Sequence, residues 1–425
     1  MYANAVVGNS IVTTIAGQSV TELAQKHGTP VFVYDAAVIA ERIRDLAAFD
    51  AIRYAQKALS NIAILDLVRR HGVVVDAVSA GEVQRAIAAG YKPGHAHPPQ
   101  IVYTADIFDR AALEIVAKYD LPVNCGSPDM IDQYGAICPG RGITLRINPG
   151  FGHGHSKKTN TGGQQSKHGI WHDQVADCAE RAKRANLTIT GMHMHIGSGT
   201  DLEHLSQVCG AMEKTCRLVG PTITSISAGG GLPTIYKPGD KYVDLAAYFK
   251  LWDATRQKLA NEFGHAISLE IEPGRYLSAE CGYLIAEIRA VKRMGENLFY
   301  IVDAGFNNLA RPILYGSHHP MAICPADGSS AARGTQDAII GGPLCESGDI
   351  FTQEEGGFVV SRELPTASVG DYLVIGCAGA YGYVMASNYN SKPLVAEVLV
   401  ENGKANLVRA AQTFEDIVRG EVIPK

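Results

Sequence analysis

Between about residues 36 and 280 short apolar runs alternate with amphipathic helical patterns, and this rhythm limits the chain to few folds. Eight runs have strand character: Ala51–Ala58, Val73–Ser79, Gln100–Ala105, Leu121–Cys125, Ile143–Asn148, Leu187–Ile196, Ser225–Ala228 and Ile267–Ile271. Helical patterns such as Ala80–Ala89 and Val243–Phe263 fill the gaps. Strands joined through helices run parallel and need cover on both faces. A doubly wound open sheet would satisfy that, but a count of eight favours closure into a (β/α)8 barrel. No repeat in the sequence marks the units, so the count rests on pattern alone.

The rhythm stops after Arg275. The chain becomes rich in strands and turns, with runs at Leu298–Val302, Asp337–Gly341, Tyr372–Gly376 and Pro393–Val400, and a hairpin signal at Asn402-Gly403. Residues 1–35 carry the same β character (Ala5–Val7, Ser10–Thr13, Val31–Tyr34) around a helix expected at Val20–His27. The expected architecture is a barrel domain over 36–280, and an all-β sandwich or small barrel built from 1–35 and 281–425. At 425 residues the chain is long enough for two such cores.

Charge excludes some functions. A net charge of −5 and only short basic clusters, such as Lys292-Arg293, leave no electrostatic footprint for nucleic acid or an anionic membrane. No run of about 18 apolar residues suggests a membrane span, and no leader pattern suggests export. Nine scattered cysteines without a CxxC pair read as reduced thiols in a cytoplasmic protein.

In a barrel the chemistry stands at the C-terminal strand ends. The first run ends in Tyr54-Ala55-Gln56-Lys57-Ala58, which sets a lysine in an apolar strand. Burial favours the neutral amine, the form that condenses with an aldehyde such as pyridoxal phosphate. The alternative is a strand-end ammonium that reaches water. The second run leads into Asp76-Ala77-Val78-Ser79-Ala80-Gly81-Glu82. The sixth ends in His193-Met194-His195, the seventh in Ala228-Gly229-Gly230-Gly231, and the eighth in Glu272-Pro273-Gly274-Arg275.

Three glycines at a strand-to-helix junction let backbone N–H groups approach a phosphate, though they also serve a plain tight turn. Glu272 beside them suits a pyridine nitrogen, or else an ion pair with Arg275. His193 and His195 have the spacing of two metal ligands, with His153, His155, His168 and His172 upstream. No carboxylate completes a metal set, and an imidazole at 195 lying against a cofactor ring is the better reading.

Further clusters are Asp303–Asn307, Arg311–Gly316, Gly342–Asp349 and Gly379–Gly382. Together with the barrel motifs, and in the same order, they resemble the fold type III pyridoxal-phosphate decarboxylases from Tyr34 to about Val400. The branch acting on meso-2,6-diaminopimelate is the most similar. That resemblance implies a TIM barrel followed by a β-sandwich that recruits the N-terminal segment, pyridoxal 5'-phosphate as cofactor, and release of carbon dioxide to leave L-lysine, the last step of lysine biosynthesis.

Residue by residue, the resemblance implies that Lys57 forms the Schiff base, His195 stacks on the ring, and Ser198 lies near the phosphate. It implies that Gly229, Gly230, Gly231, Gly274 and Arg275 hold phosphate and substrate, and that Glu272 pairs with the ring nitrogen. Cys345 and Glu346 match a loop that reaches into the partner subunit's site, with the cysteine as proton donor. Arg311 and Tyr315 match the groups that bind the far end of the substrate, and Tyr381 one near cofactor and substrate. A homodimer with shared active sites follows.

Ala58-Leu59-Ser60 departs from the Ala-Asn of many relatives. A relative acting on ornithine, arginine or a D-configured basic amino acid is the neighbouring alternative, disfavoured by Glu346 and Arg311, since a guanidinium suits a second carboxylate. A catalytically dead binding protein of the same fold would not need both Lys57 and Cys345.

Overall fold

A computed structural model of the chain describes residues 10–152, 162–195 and 201–424. The chain divides into two compact units. One holds Ala40–Pro233 and Lys241–Leu277; the other holds the described residues up to Ile39, Thr234–Asp240, and Ser278 onward.

Eight parallel strands form the barrel of the first unit, β1 Ala51–Ala55, β2 Val74–Ala77, β3 Ile101–Ala105, β4 Val123–Cys125, β5 Gly142–Asn148, β6 Thr188–Met194, β7 Ser225–Ser227 and β8 Ser268–Ile271, and a two-residue strand, Ile170–Trp171, pairs parallel with the end of β5. Each barrel strand pairs with the next, and β8 returns to β1 through Glu270↔Ala51 and Ile271↔Ile52, which closes the barrel. All eight expected strands are present, each trimmed or shifted by a few residues. In the first, the chain leaves the strand at Ala55 and turns through a single 3-10 turn, Gln56–Ala58. The Gln56 side-chain amide donates to Asp76 O at 3.1 Å, which ties this turn to β2.

Helices follow the strands and start as the sequence requires. Ser79 caps Ala80–Ala88 by accepting from Glu82 N, and Asp244 caps Leu245–Phe263 by accepting from Ala247 N. The barrel interior is more polar than aliphatic layers would be. Arg53, Asn124, Arg146, His193 and Glu272 are all buried. Arg53 donates twice to Glu270 at 2.9 and 3.0 Å and once to Pro99 O at 2.9 Å, so its charge is paired.

The second unit is mostly sheet. Its long strand β9, Gly282–Met294, pairs antiparallel with Val31–Asp35, with β10 (Asn297–Val302) and with β14 (Tyr372–Ile375). Strand β11, Met321–Cys324, joins β14, while β12 (Thr335–Gly341) links β10 to β13 (Arg362–Pro365). Val31–Asp35 is central rather than peripheral, since β15, Ala396–Glu401, runs parallel along its other side. Val31, Phe32, Val33 and Tyr34 are accordingly fully buried, each apolar side chain contributing on the order of 2 kcal/mol of burial.

The hairpin from β15 to β16 (Lys404–Arg409) turns at Asn402 and Gly403 with φ of 52° and 74°, the left-handed pair that a two-residue hairpin needs. Val20–His27 is a helix as expected. Ser10–Thr13 is not a strand; only Ile11 bridges, to Ile323. Ala5–Val7 lies outside the described residues.

Candidate active site

The barrel places one group of the expected residues at its C-terminal strand ends. Lys57 stands in the turn after β1 with an exposed side chain. The desolvation anticipated for a lysine inside a strand is therefore not supplied by the described residues, because the strand ends two residues earlier. Its positive charge still acts on the cluster around it, opposing ionised imidazolium at His193 and His195 and favouring carboxylate at Asp76 and Glu82.

Glu272 is the centre of that cluster and is buried. Ser227 Oγ donates to Glu272 Oε1 at 2.8 Å and accepts from Gly229 N–H at 3.1 Å, so the glycine turn and the carboxylate share one hydroxyl. On the other side His193 Nε2 lies 3.2 Å from Glu272 Oε2. The Asn124 amide at 2.8 Å occupies His193 Nδ1, which leaves the ring proton on Nε2, facing the carboxylate. Burial, and then the Arg146 charge, hold the His193 pKa well below the usual range, so the ring is neutral. Burial pushes the Glu272 carboxyl up. Asp76 on β2 is raised by burial and by the charge of Glu272, and one of its carboxylate oxygens has no hydrogen-bond partner. Glu82 is raised to about 7, chiefly by burial, although Val78 N–H donates to it at 2.8 Å.

His195 follows β6 directly. Gly230 N–H donates to its Nδ1 at 2.7 Å, and burial lowers its pKa well below the normal value. Its ring is 6.5 Å from that of His193. The Asn124 amide therefore engages one ring and the Gly230 N–H the other. Among the described residues no group of three His, Cys, Asp or Glu side chains could hold a metal ion.

The glycine run is required sterically. Gly229 adopts φ +63°, where a Cβ would lie 2.5 Å from Met194 O, and a Cβ on Gly230 would lie 2.4 Å from Glu272 O. Gly231 also has positive φ, +97°. Gly274 packs against Ala55, and Arg275 opens a short helix, Arg275–Ser278, with its side chain half-buried. Ser198 lies outside the described residues, as do His153 and His155.

The second unit carries the other group. Arg311 and Tyr315 bound one short helix, with Arg311 buried and Tyr315 half-buried. Cys345 and Glu346 sit exposed in the turn between β12 and β13, and Cys345 is the one exposed cysteine of nine. That turn is organised by Asp349, whose carboxylate accepts from Phe306 N–H at 2.7 Å and Leu344 N–H at 2.8 Å. Asn390 Oδ1 accepts from Cys345 N–H at 2.9 Å. Tyr381 is held at φ +59°, a left-handed conformation uncommon for a residue with a side chain.

Sequence reading assigned no role to Ser227, Asn124, Asp76 or Glu82, and weighed His193 only as a metal ligand. A serine just before the glycine run and a carboxylate ending β2 were visible signals. The pairing of His193 with Asn124 and Glu272 was not, because it joins β4, β6 and the end of β8.

These residues fit pyridoxal phosphate. Lys57 can take its aldehyde, the side-chain-free turn Gly229–Gly231 can take its phosphate, buried Glu272 its ring nitrogen and His195 its ring face. The model of the pyridoxal-dependent decarboxylase pyridoxal-binding domain matches residues 37–279. The chain is 51% identical over 412 residues to a diaminopimelate decarboxylase of Escherichia coli K12, covering 97% of this chain and 98% of that one. It is 52% identical over 408 residues to a diaminopimelate decarboxylase of Streptomyces coelicolor, covering 96% and 92%. A crystal structure of a diaminopimelate decarboxylase superposes with a TM-score of 0.92 at 51% identity, covering 96% of this chain and 98% of that one.

Proposed function

Because the chain belongs to the pyridoxal-dependent decarboxylases, on their diaminopimelate decarboxylase branch, we propose that it removes one carboxylate of meso-2,6-diaminopimelate as carbon dioxide and leaves L-lysine. The observation that carries this reading is the constellation at the barrel strand ends: Lys57 after β1, the glycine turn after β7 and buried Glu272 after β8.

Bound pyridoxal phosphate supplies a conjugated ring that takes up the electron pair released as the carboxylate departs. The protein's own residues do the rest. Lys57 would hold the cofactor's aldehyde carbon through its amine. Glu272, which accepts from Ser227 Oγ and has His193 Nε2 3.2 Å away, would face the ring nitrogen and hold a proton there. His195, fixed through Gly230, sets the ring plane. Gly229–Gly231 and Arg275 hold the anionic groups.

The second unit reads the substrate and finishes the reaction. Arg311, with Tyr315, takes the carboxylate that is retained. Cys345 delivers the proton that replaces carbon dioxide, and Glu346 and Tyr381 complete the pocket. The Cys345 turn reaches the site of a second copy, so the working form is a homodimer, cytoplasmic in keeping with nine free cysteines. The test is carbon dioxide release by purified protein on meso-diaminopimelate, lysine, ornithine and arginine, with the visible cofactor spectrum recorded alongside. Turnover confined to diaminopimelate is expected. A preference for ornithine or lysine overturns the substrate while leaving the cofactor chemistry standing.

A further inference from the structure

Residues 234–240 leave the barrel and lodge in the second unit, where they bring Tyr236 against Arg311. The segment closes on itself and is tethered from outside. Asp240 Oδ2 accepts from Tyr236 N–H and Lys237 N–H at 3.0 Å each, and the Cys377 thiol faces Ile235 O at 3.4 Å. The Arg311 guanidinium carbon lies 4.7 Å from the centre of the Tyr236 ring, inside the range of a cation–π contact.

A second contact fixes the direction of the same guanidinium. Arg311 Nη1 is 3.1 Å from His319 Nε2, and His319 Nδ1 is 3.1 Å from Gly376 O. A carbonyl can only accept, so Nδ1 carries the proton and Nε2 is the acceptor for Arg311. His319 is fully buried; its backbone carbonyl is held by Arg362 at 2.6 Å, and its ring meets Tyr236 edge to face at 5.5 Å and 78°. Burial, reinforced by the Arg311 charge, keeps this imidazole neutral.

We infer that His319 and Tyr236 are positioning residues that aim Arg311 at the retained carboxylate, and so set the preference for a substrate with two acidic ends. This rests on the assignment of Arg311 to that carboxylate made above. A neutral acceptor and an aromatic face hold a guanidinium in one rotamer without offering it a competing negative charge. A carboxylate in the place of His319 would take the bidentate face that the substrate needs. Fixing the rotamer in advance also removes the ordering cost from the binding step.

The probes are L-lysine, which keeps the retained carboxylate, and cadaverine, the same diamine chain without it, each measured as a competitive inhibitor of the holoenzyme. His319→Leu is expected to raise the inhibition constant of L-lysine about 10-fold and to move that of cadaverine by less than about 2-fold. His319→Gln, whose amide can donate to Gly376 O and accept from Arg311, is expected to recover most of the loss. Tyr236→Phe keeps the ring face and should match the parent, whereas Tyr236→Leu should weaken L-lysine selectively. Tyr236→Leu lies on a separate segment and gives the same comparison if His319→Leu fails to fold.

Equal weakening of both probes overturns the inference, since a merely structural role predicts it. So does an unmoved L-lysine constant in both leucine variants while Arg311→Ala weakens it, a result that leaves Arg311's own assignment intact. If Arg311→Ala leaves L-lysine unmoved, the assignment of Arg311 falls and the inference with it.

Discussion

The buried carboxylates and imidazoles of the barrel cluster and the Cys345 turn of the second unit are held in different ways. In the barrel, Glu272, Asp76 and His193 are buried, with pKa values displaced by burial and oriented by neighbouring strands. In the second unit Cys345 and Glu346 are exposed on a turn, and buried Arg311 is gripped by two neutral side chains. The barrel group has one cofactor to hold whatever the substrate, which suits rigid strand ends. On the proposed function the second group discriminates among amino acids and delivers a proton, which suits turns and one-turn helices standing on a rigid sheet.

The sharpest way to break this contrast is Lys57→Ala. Removing the covalent anchor should lower turnover by at least about a thousandfold and abolish the visible band of lysine-linked cofactor. A variant that still gives a borohydride-fixed cofactor adduct would refute the assignment of Lys57.

Next in size is Arg311→Ala. Leaving a substrate carboxylate without its partner costs on the order of 2 to 5 kcal/mol, equivalent to a roughly 30-fold to several-thousand-fold fall in kcat/KM on diaminopimelate. Arg311→Lys should recover only part, since an ammonium lacks the planar fork. Unchanged diaminopimelate turnover in Arg311→Ala would move substrate reading away from this helix.

Mixing tests whether the two groups serve one site across two chains. If each site draws Lys57 from one chain and Cys345 from the other, inactive Lys57→Ala and Cys345→Ala proteins allowed to exchange should regain about a quarter of parental sites, since half of random dimers are mixed and one of their two sites is intact. Absence of recovery despite exchange shown by mass spectrometry would place both residues in the same chain's site.

The smallest effect concerns Glu82. Its folded pKa of about 7 lies above the ordinary 4.5, so the fold favours its protonated form. Stability from this group is full below about pH 4.5 and is lost as pH rises through 7. Glu82→Gln should therefore match the parent near pH 4.5 and exceed it by on the order of 1 kcal/mol at pH 8, read as denaturant midpoints at the two pH values. A deficit at pH 8 would mean that the carboxylate's bond from Val78 outweighs its burial.

Much of this was legible in order along the chain. Strand and helix periodicity located all eight barrel strands, because each strand's burial is a local property of its residues. The Asn402-Gly403 turn was legible for the same reason: a two-residue hairpin needs backbone conformations that few residue pairs allow. Glu272 and the glycine run stood out because each is costly where it lies unless it has a task, and Lys57 because it ends an apolar run.

Other features needed the tertiary structure. That the strand ends before Lys57 depends on a bond from Gln56 to β2, twenty residues away. That Glu272 is held by neutral groups depends on Ser227 and His193, which come from two other strands. Nothing near residue 236 announces that Thr234–Asp240 leaves the barrel's unit for the other, where Tyr236 meets Arg311, 75 positions along. Local sequence determines which segments are strands and which residues are costly to bury. The partners that make those residues affordable are chosen by register and packing between distant segments, and only the folded chain brings them within hydrogen-bonding distance.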